Sequence, residues 1–484
     1  MEGCSSEIPK KREENVFMQQ KKKLGFGARG WILMIYQFLA YIAFVCFTNW
    51  PMNALGNYYD PVNGTQGVAK IYTTAAIIGV VFQVIISPFI GKIKSIYRVS
   101  IVMGIISVVA AFGVMMCNPG TLWNISYFVA CLVVIVWSTF IIGILIGQWF
   151  PRRKGTVMGI VTCAFPVGNA LMGIFLGDAI GMSIGMSMEG APMDAMIAAI
   201  GPIARKAYLP FFVLVCIGVV LAIVLLKDFP EMVGAFRDND KSMTPEKAKA
   251  MMEFEIENRK TSVWTLGKTL ACPDFWLMAI PMGFMLMGSV GMMTQTTNIF
   301  TSVGFDPTSA QFDMVLMVNS VIAILGSWLL GIVDTKIGAR KSMIIALVTM
   351  ILSGVIGAIG GKVGVVAGMW MLGIFMGASS NYTVSGSVQY WRIEDFPTVF
   401  GKVNPLANLM NNLAPVVISS LMFMNAAKTH GQPETAPCFI FLAIAGVVSL
   451  VMMLLFKPAR VKKYDDKYRA AAGKPLDDAL VGRK

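Results

Sequence analysis

Twelve long apolar runs alternate with short polar gaps along the chain. They cover approximately Trp31–Leu55, Lys70–Ile90, Val99–Met116, Asn124–Phe150, Thr156–Ile180, Tyr208–Leu226, Phe275–Phe300, Gln311–Val333, Ser342–Gly360, Val363–Tyr390, Thr398–Met424 and Cys438–Phe456. A helix needs about 20 residues to cross the hydrocarbon core of a bilayer. The pattern therefore predicts an all-α membrane protein with twelve transmembrane helices in two pseudo-symmetric six-helix halves.

The polar gaps give the topology. Of the 40 Lys and Arg, all lie outside the cores of the runs, and all but Lys70, Arg205, Lys206, Lys362 and Lys428 fall on the side of the N-terminus when gaps are assigned alternately. Basic residues stay in the cytoplasm when short loops are threaded. Both termini are expected there, in a multi-pass protein of the cell membrane.

Composition narrows the class. Hydrophobic residues make up 56% and charged residues 14% of 484, so no large soluble domain fits beside the spans. The net charge of +13 sits next to membrane, where anionic lipid is the expected partner and nucleic acid is not. The 8 cysteines include no CxxC pair, so neither a disulfide framework nor a zinc site is readable. The Lys/Arg-rich leader, residues 1–30, lacks a small-residue cleavage site and reads as retained.

The expected organisation is a cytoplasmic leader (1–30), a first half (31–226), a linker (227–270), a second half (271–456) and a cytoplasmic tail (457–484). In the linker, Thr244 is an expected N-cap with Pro245 at the first helical position. The helix that follows is expected to be amphipathic, with Met251, Phe254, Trp264 and Leu266 towards the membrane surface. The halves look duplicated. Trp31-Ile-Leu-Met-Ile pairs with Trp276-Leu-Met-Ala-Ile, Thr48-Asn49 with Thr297-Asn298, and Thr156-Val-Met-Gly159 with Thr398-Val-Phe-Gly401, at offsets of about 245 residues. Repeat-built carriers place substrate near the midplane between the repeats.

Gly331-Ile-Val-Asp334-Thr-Lys-Ile-Gly338-Ala-Arg340-Lys341 resembles the G-x-x-x-D-x-x-G-x-R-[KR] loop of the major facilitator superfamily. In such a loop the glycines permit a tight turn, and Asp334 with Arg340 is expected to latch neighbouring helices. The first-half counterpart, Gly91 to Arg98, has lost the Asp. Trp149-Phe-Pro-Arg-Arg-Lys-Gly-Thr-Val-Met-Gly159 resembles the loop after span four in anion-handling branches of that superfamily, and Thr265-Leu-Gly-Lys-Thr-Leu-Ala-Cys-Pro-Asp-Phe-Trp276 resembles the segment before span seven in the oxalate/formate antiporter and monocarboxylate transporter branch. That resemblance implies carriage of small carboxylates, and some related carriers move bile acids. It also implies that helices one, four, seven and ten line a central cavity. The chain departs from the branch in lacking a basic residue central to spans seven to ten. A dianion is thus poorly served, and a monoanion, a bulky amphipathic acid or a neutral solute fits better.

Polar residues inside spans are the candidates for substrate contact: Tyr41, Asn49, Asn53, Gln295, Asn298, Tyr382, Asn408 and Asn412. Asn404, Asn408 and Asn411 share one helical face. Amides can donate to and accept from a carboxylate or hydroxyl, or equally bond neighbouring helices. Pro166, Pro281, Pro405 and Pro415 are expected to interrupt helices, as hinges or as static kinks. Asp178 and Asp313 are expected at an outer gate. The chain has 1 His, no P-loop and no HExxH, which argues against an enzyme or an ATP-driven pump. No cofactor or metal is expected. The Met-rich loop from Met182 to Met196 reads as apolar packing, because no Cys or His accompanies it. The expected function is secondary transport of an organic acid by a monomeric protein, through proton symport or anion exchange. The alternatives are a carrier for a neutral or zwitterionic solute and a solute sensor on a carrier fold.

Overall fold

Eleven helices are long and apolar enough to span a membrane in a computed structural model, which describes residues 25–53, 55–188, 192–306, 309–425 and 433–476. In the first half these are α1 (Gly27–Asn53), α2 (Gln66–Lys92), α3 (Ile96–Met116), α4 (Thr121–Trp149), α5 (Lys154–Gly177) and α6 (Met193–Leu225). The linker helix is α7 (Pro245–Arg259). In the second half they are α8 (Pro273–Thr294), α9 (Ala310–Ile337), α10 (Ala339–Ala358) and α11 (Gly361–Tyr390). Next comes α12 (Phe396–Met422), then the spanning α13 (Ala436–Leu455) and the tail helix α14 (Pro458–Ala471). At 27 residues α12 is long enough to be the twelfth span. It is too polar to count among the eleven, because it carries Lys402 and four asparagines.

Each half packs around its own core. Large apolar side chains such as Val109, Val224, Leu329 and Val451 point outwards at half exposure or more, as a lipid-facing surface requires. Several second-half residues, namely Val384, Val388, Phe396 and Phe400, belong to the first-half core. They are received by Gly143 and Gly147 of α4. A Cβ on Gly147 would lie 2.4 Å from Phe396, and one on Gly143 would lie 3.2 Å from Phe400. Small residues here let the halves close on each other at the face that carries the termini.

The expected outer loop before span six is mostly helix. Helix Ala164–Met188 continues α5, and α6 runs for 33 residues. At 1.5 Å per residue, α6 projects well past a bilayer core of about 30 Å. Met and Ala in this stretch favour helix, and hydropathy alone cannot see where a helix leaves the membrane.

Candidate functional site

The helices around the centre depart from regular α geometry near their midpoints. α1 contains a π-helical segment, Val45–Asn49, and α4 contains another, Trp137–Ile141. α5 breaks at Thr162–Cys163, because Pro166 has no N–H to give the Thr162 carbonyl. α8 ends at Gln295, and a short helix, Thr296–Thr301, follows. α11 is split into Gly361–Met376 and Asn381–Tyr390. Pro281, Pro405 and Pro415 lie inside unbroken helices. Irregular turns of this kind recur at functional positions in membrane helices.

These helices surround a narrow cavity of about 40 Å³. The wall comes from Tyr41 and Phe44 of α1, Thr139 of α4, Phe165 of α5, and Leu286, Ser289, Val290 and Met293 of α8. Met376, Ser379, Ser380 and Thr383 of α11 and Asn404, Asn408 and Asn411 of α12 complete it. No lining side chain is charged. Tyr41 packs on Phe165 with ring centroids 4.6 Å apart. Ser289 and Ser379 join by Oγ–Oγ at 2.9 Å. Asn408 Nδ2 donates to Thr139 Oγ1 at 3.2 Å, which ties the halves together across the cavity. The neighbouring Asn404 Nδ2 donates to Gln83 Oε1 of α2 at 3.0 Å.

Of the eight residues singled out for substrate contact, Tyr41 and Asn408 line this cavity. Asn412 is buried beside α2, with its Nδ2 3.4 Å from the Ala76 carbonyl. Tyr382 is buried and bonds Ser342 Oγ at 3.0 Å. Asn49 is buried in the π-helical turn of α1, whereas its repeat partner Asn298 is exposed and donates to Gln295 Oε1 at 2.8 Å. Asn53 is exposed. The repeat therefore aligns Asn49 and Asn298 in sequence, but they sit in different surroundings. The hydroxyls of Thr139, Ser289, Ser379, Ser380 and Thr383 were not singled out in the sequence. Ser and Thr are too common in apolar helices to stand out there, and only the break at residues 377–380 turns three of them towards the cavity.

The terminus-bearing side of the cavity is sealed. α5 crosses α9 so closely that a Cβ on Gly155 would lie 2.7 Å from the Asp334 carboxylate. Thr162 Oγ1 lies 2.7 Å from Ser327 Oγ and 2.7 Å from Asn381 Oδ1. Asp334 is buried against the first turn of α5, where Lys154 and the helix N-terminus supply positive potential. The latch pictured from the sequence differs. Arg340 does not pair with Asp334, but donates to the Met453 and Leu454 carbonyls at 3.1 and 3.0 Å and so caps α13. Asp313 is exposed in the first turn of α9, and the Asp178 side chain lies outside the described residues. Facing away from the termini, a polar bridge also joins the halves. Trp50 Nε1 donates to Asn169 Oδ1 at 3.0 Å, and Asn169 Nδ2 reaches Met293 Sδ at 2.9 Å.

The linker and tail reinforce the sealed face. Thr244 caps α7, accepting from the Lys247 N–H at 3.3 Å. The buried face of α7 is Ala248, Glu255 and Arg259, so this helix docks by charge. Arg237 bridges Glu231 at 3.0 Å and Glu255 at 2.6 Å, and Arg259 Nη2 donates to the Ile93 carbonyl at 2.9 Å. Trp264, expected at the membrane surface, is fully buried and donates to Asp465 of α14 at 2.9 Å. Leu266 is exposed. Asp238 accepts from the backbone N–H groups of Arg152 and Arg153, and burial pushes its carboxyl up to about 6 against their pull. In the tail, Arg469 bonds Glu394, Asp395 and Asp465, and Arg392 bonds Asp465 at 2.9 Å. Burial, aided by the neighbouring Asp395, pushes the Glu394 carboxyl up to about 7 although Arg469 opposes it. Among the described residues no group of His, Cys, Asp and Glu is arranged to hold a metal.

Twelve helices in two halves around a central uncharged cavity define a membrane transporter. Residues 32–419 match the Major Facilitator Superfamily, and the chain belongs to it. It is accordingly a multi-pass membrane transport protein and not an enzyme. Among solved structures it is similar to the superfamily transporter FucP in the outward conformation (14% identity, 88% of this chain and 98% of that one, TM-score 0.60). It is also similar to the proton:xylose symporter XylE (12% identity, 88% and 95%, TM-score 0.63) and to the human organic anion transporter MFSD10 (12% identity, 87% and 97%, TM-score 0.56). At these identities the likeness speaks for the fold alone. No curated protein matches the chain.

Proposed function

We propose that this protein is a secondary transporter for a small organic acid that enters the site without net charge, as a monocarboxylic acid carried with its proton. The observation that carries the reading is the wall of the cavity, which combines three amides and five Ser/Thr hydroxyls with aromatic and Met surface and has no charged group. Amides and hydroxyls can donate to and accept from a protonated carboxyl. A buried carboxylate without a cation is costly, so the bare anion fits less well. The small free volume argues for a small acid over a bile acid. The same wall would suit a neutral hydroxylated solute, and the hydroxyl cluster on α8 and α11 favours that as the second reading.

Transport proceeds by alternating access, with the two halves rocking about this cavity. The protein lies in the cell membrane, with both termini in the cytoplasm, because the terminus-bearing face carries most of the basic residues. The test is counterflow in proteoliposomes with small monocarboxylates, dicarboxylates, bile acids and sugars, each run at pH 5.5 and 7.5. The expected result is counterflow of one or more monocarboxylates, faster at the lower pH. Counterflow of sugars alone would replace the acid reading with the neutral-solute reading.

A further inference from the structure

A second cavity lies on the outer surface at the terminus-bearing end, away from the central site. It is an open groove of about 410 Å³ lined by Pro273, Trp276 and Leu277 of α8, by Leu455 at the end of α13, and by Lys457 and Arg460 where α14 begins. One end is apolar and continues into lipid-facing surface, where Leu454 and Leu455 are each 54% exposed. The other end is cationic. We propose that this groove binds one anionic glycerophospholipid, with its acyl chain along Leu455, Leu277 and the Trp276 ring and its phosphate at Lys457 and Arg460.

The cationic end is a built feature. Asp274, fully buried, accepts from Arg460 Nη2 at 2.9 Å and from the Lys457 backbone N–H at 2.8 Å. This fixes the turn between α13 and α14 against the start of α8. The Arg460–Asp274 pair is neutral overall, so the exposed Lys457 ammonium leaves the groove one positive charge. That matches a headgroup with a single net negative charge better than a zwitterionic one, which brings its own ammonium. Trp276 Nε1 donates to the Leu270 carbonyl at 2.9 Å, which holds the indole at the polar–apolar boundary where such rings collect. Apolar walls on two helices, α8 and α13, select a lipid over a free phosphate. The placement rests on the membrane-spanning reading of the helices and is independent of what the central cavity carries.

The test is native mass spectrometry of the full chain in detergent with equimolar dioleoyl-phosphatidylglycerol and dioleoyl-phosphatidylcholine. The first retained lipid is expected to be phosphatidylglycerol, preferred about fivefold, the worth of one basic residue near an anionic surface. Lys457→Gln should bring that preference below about twofold, because its only lost feature is the exposed ammonium. Trp276→Ala should weaken both lipids together. Equal retention of the two lipids by the natural protein would overturn the proposal, as would an unchanged preference in Lys457→Gln. Displacement of the retained lipid by millimolar inorganic phosphate would also overturn it, by marking a simple anion site. Because lipid retention is read directly, none of these outcomes depends on the transported solute.

Discussion

Gly159 of α5 and Gly331 of α9 meet backbone to backbone: a Cβ on Gly159 would lie 2.8 Å from the Gly331 Cα, and one on Gly331 would lie 2.7 Å from the Gly159 Cα. Neither position has a flexible side chain that could yield. The contact joins the two halves on the sealed face, so a side chain at either glycine must prise them apart. Gly331→Val is expected to disfavour the sealed state, raising thiol labelling at Cys163 from the terminus-bearing side and slowing transport by about tenfold or more. Labelling and transport at the natural level would show that this crossing does not hold the seal.

Asn408 and Asn298 should behave differently although both are span amides. Asn408 lines the cavity and bridges to Thr139, whereas Asn298 is exposed and pairs within its own turn. Asn408→Ala should raise the transport KM by about tenfold, the loss of one to two hydrogen bonds to solute or partner. Asn298→Ala should change it by less than about twofold. Equal effects on uptake kinetics would remove the cavity from the substrate path.

The terminus-bearing face should titrate. A carboxyl raised from its ordinary 4.5 to about 7 binds more protons folded than unfolded between those values. Stability from Glu394 is therefore greatest at low pH and is lost as pH rises through that window. Glu394→Gln keeps an oxygen to accept from Arg469 but cannot titrate. Between pH 5 and 8 the natural protein should lose on the order of 2 kcal/mol more stability than this variant, read as a steeper fall of melting midpoint. Parallel pH profiles would remove Glu394 as the titrating group.

Arg469 has the larger structural burden. It is buried and bonds three carboxylates, Glu394, Asp395 and Asp465. Arg469→Met leaves Glu394 and Asp395 without their guanidinium, with Asp465 still held by Arg392, a cost of about 3–5 kcal/mol. The expected outcome is detachment of α14, seen as early proteolysis after residue 457 and a lowered melting midpoint. An intact tail at the natural midpoint would assign the network no holding role.

The hydrophobic pattern, with its bilayer-length runs, was enough to read the twelve spans. Span length and apolarity are local properties, and lipid requires every backbone group to be satisfied within a helix. The motif glycines Gly159 and Gly331 were also visible as members of two separate loops, and the amide face of α12 could be read from its spacing. Their meeting could not be read there, because contact between α5 and α9 depends on how two halves dock across about 170 residues of chain. For the same reason the choice among polar residues was left to tertiary structure. Asn49 and Asn298 match in sequence, yet one is buried in a π-helical turn and the other reaches solvent. Likewise the Ser289, Ser379 and Thr383 hydroxyls gain their place only where α8 and α11 break towards a common cavity. The sequence determined which segments enter the membrane. Packing between segments decided which polar groups face one another, because burial and hydrogen bonding in lipid are properties of neighbours brought together by the fold.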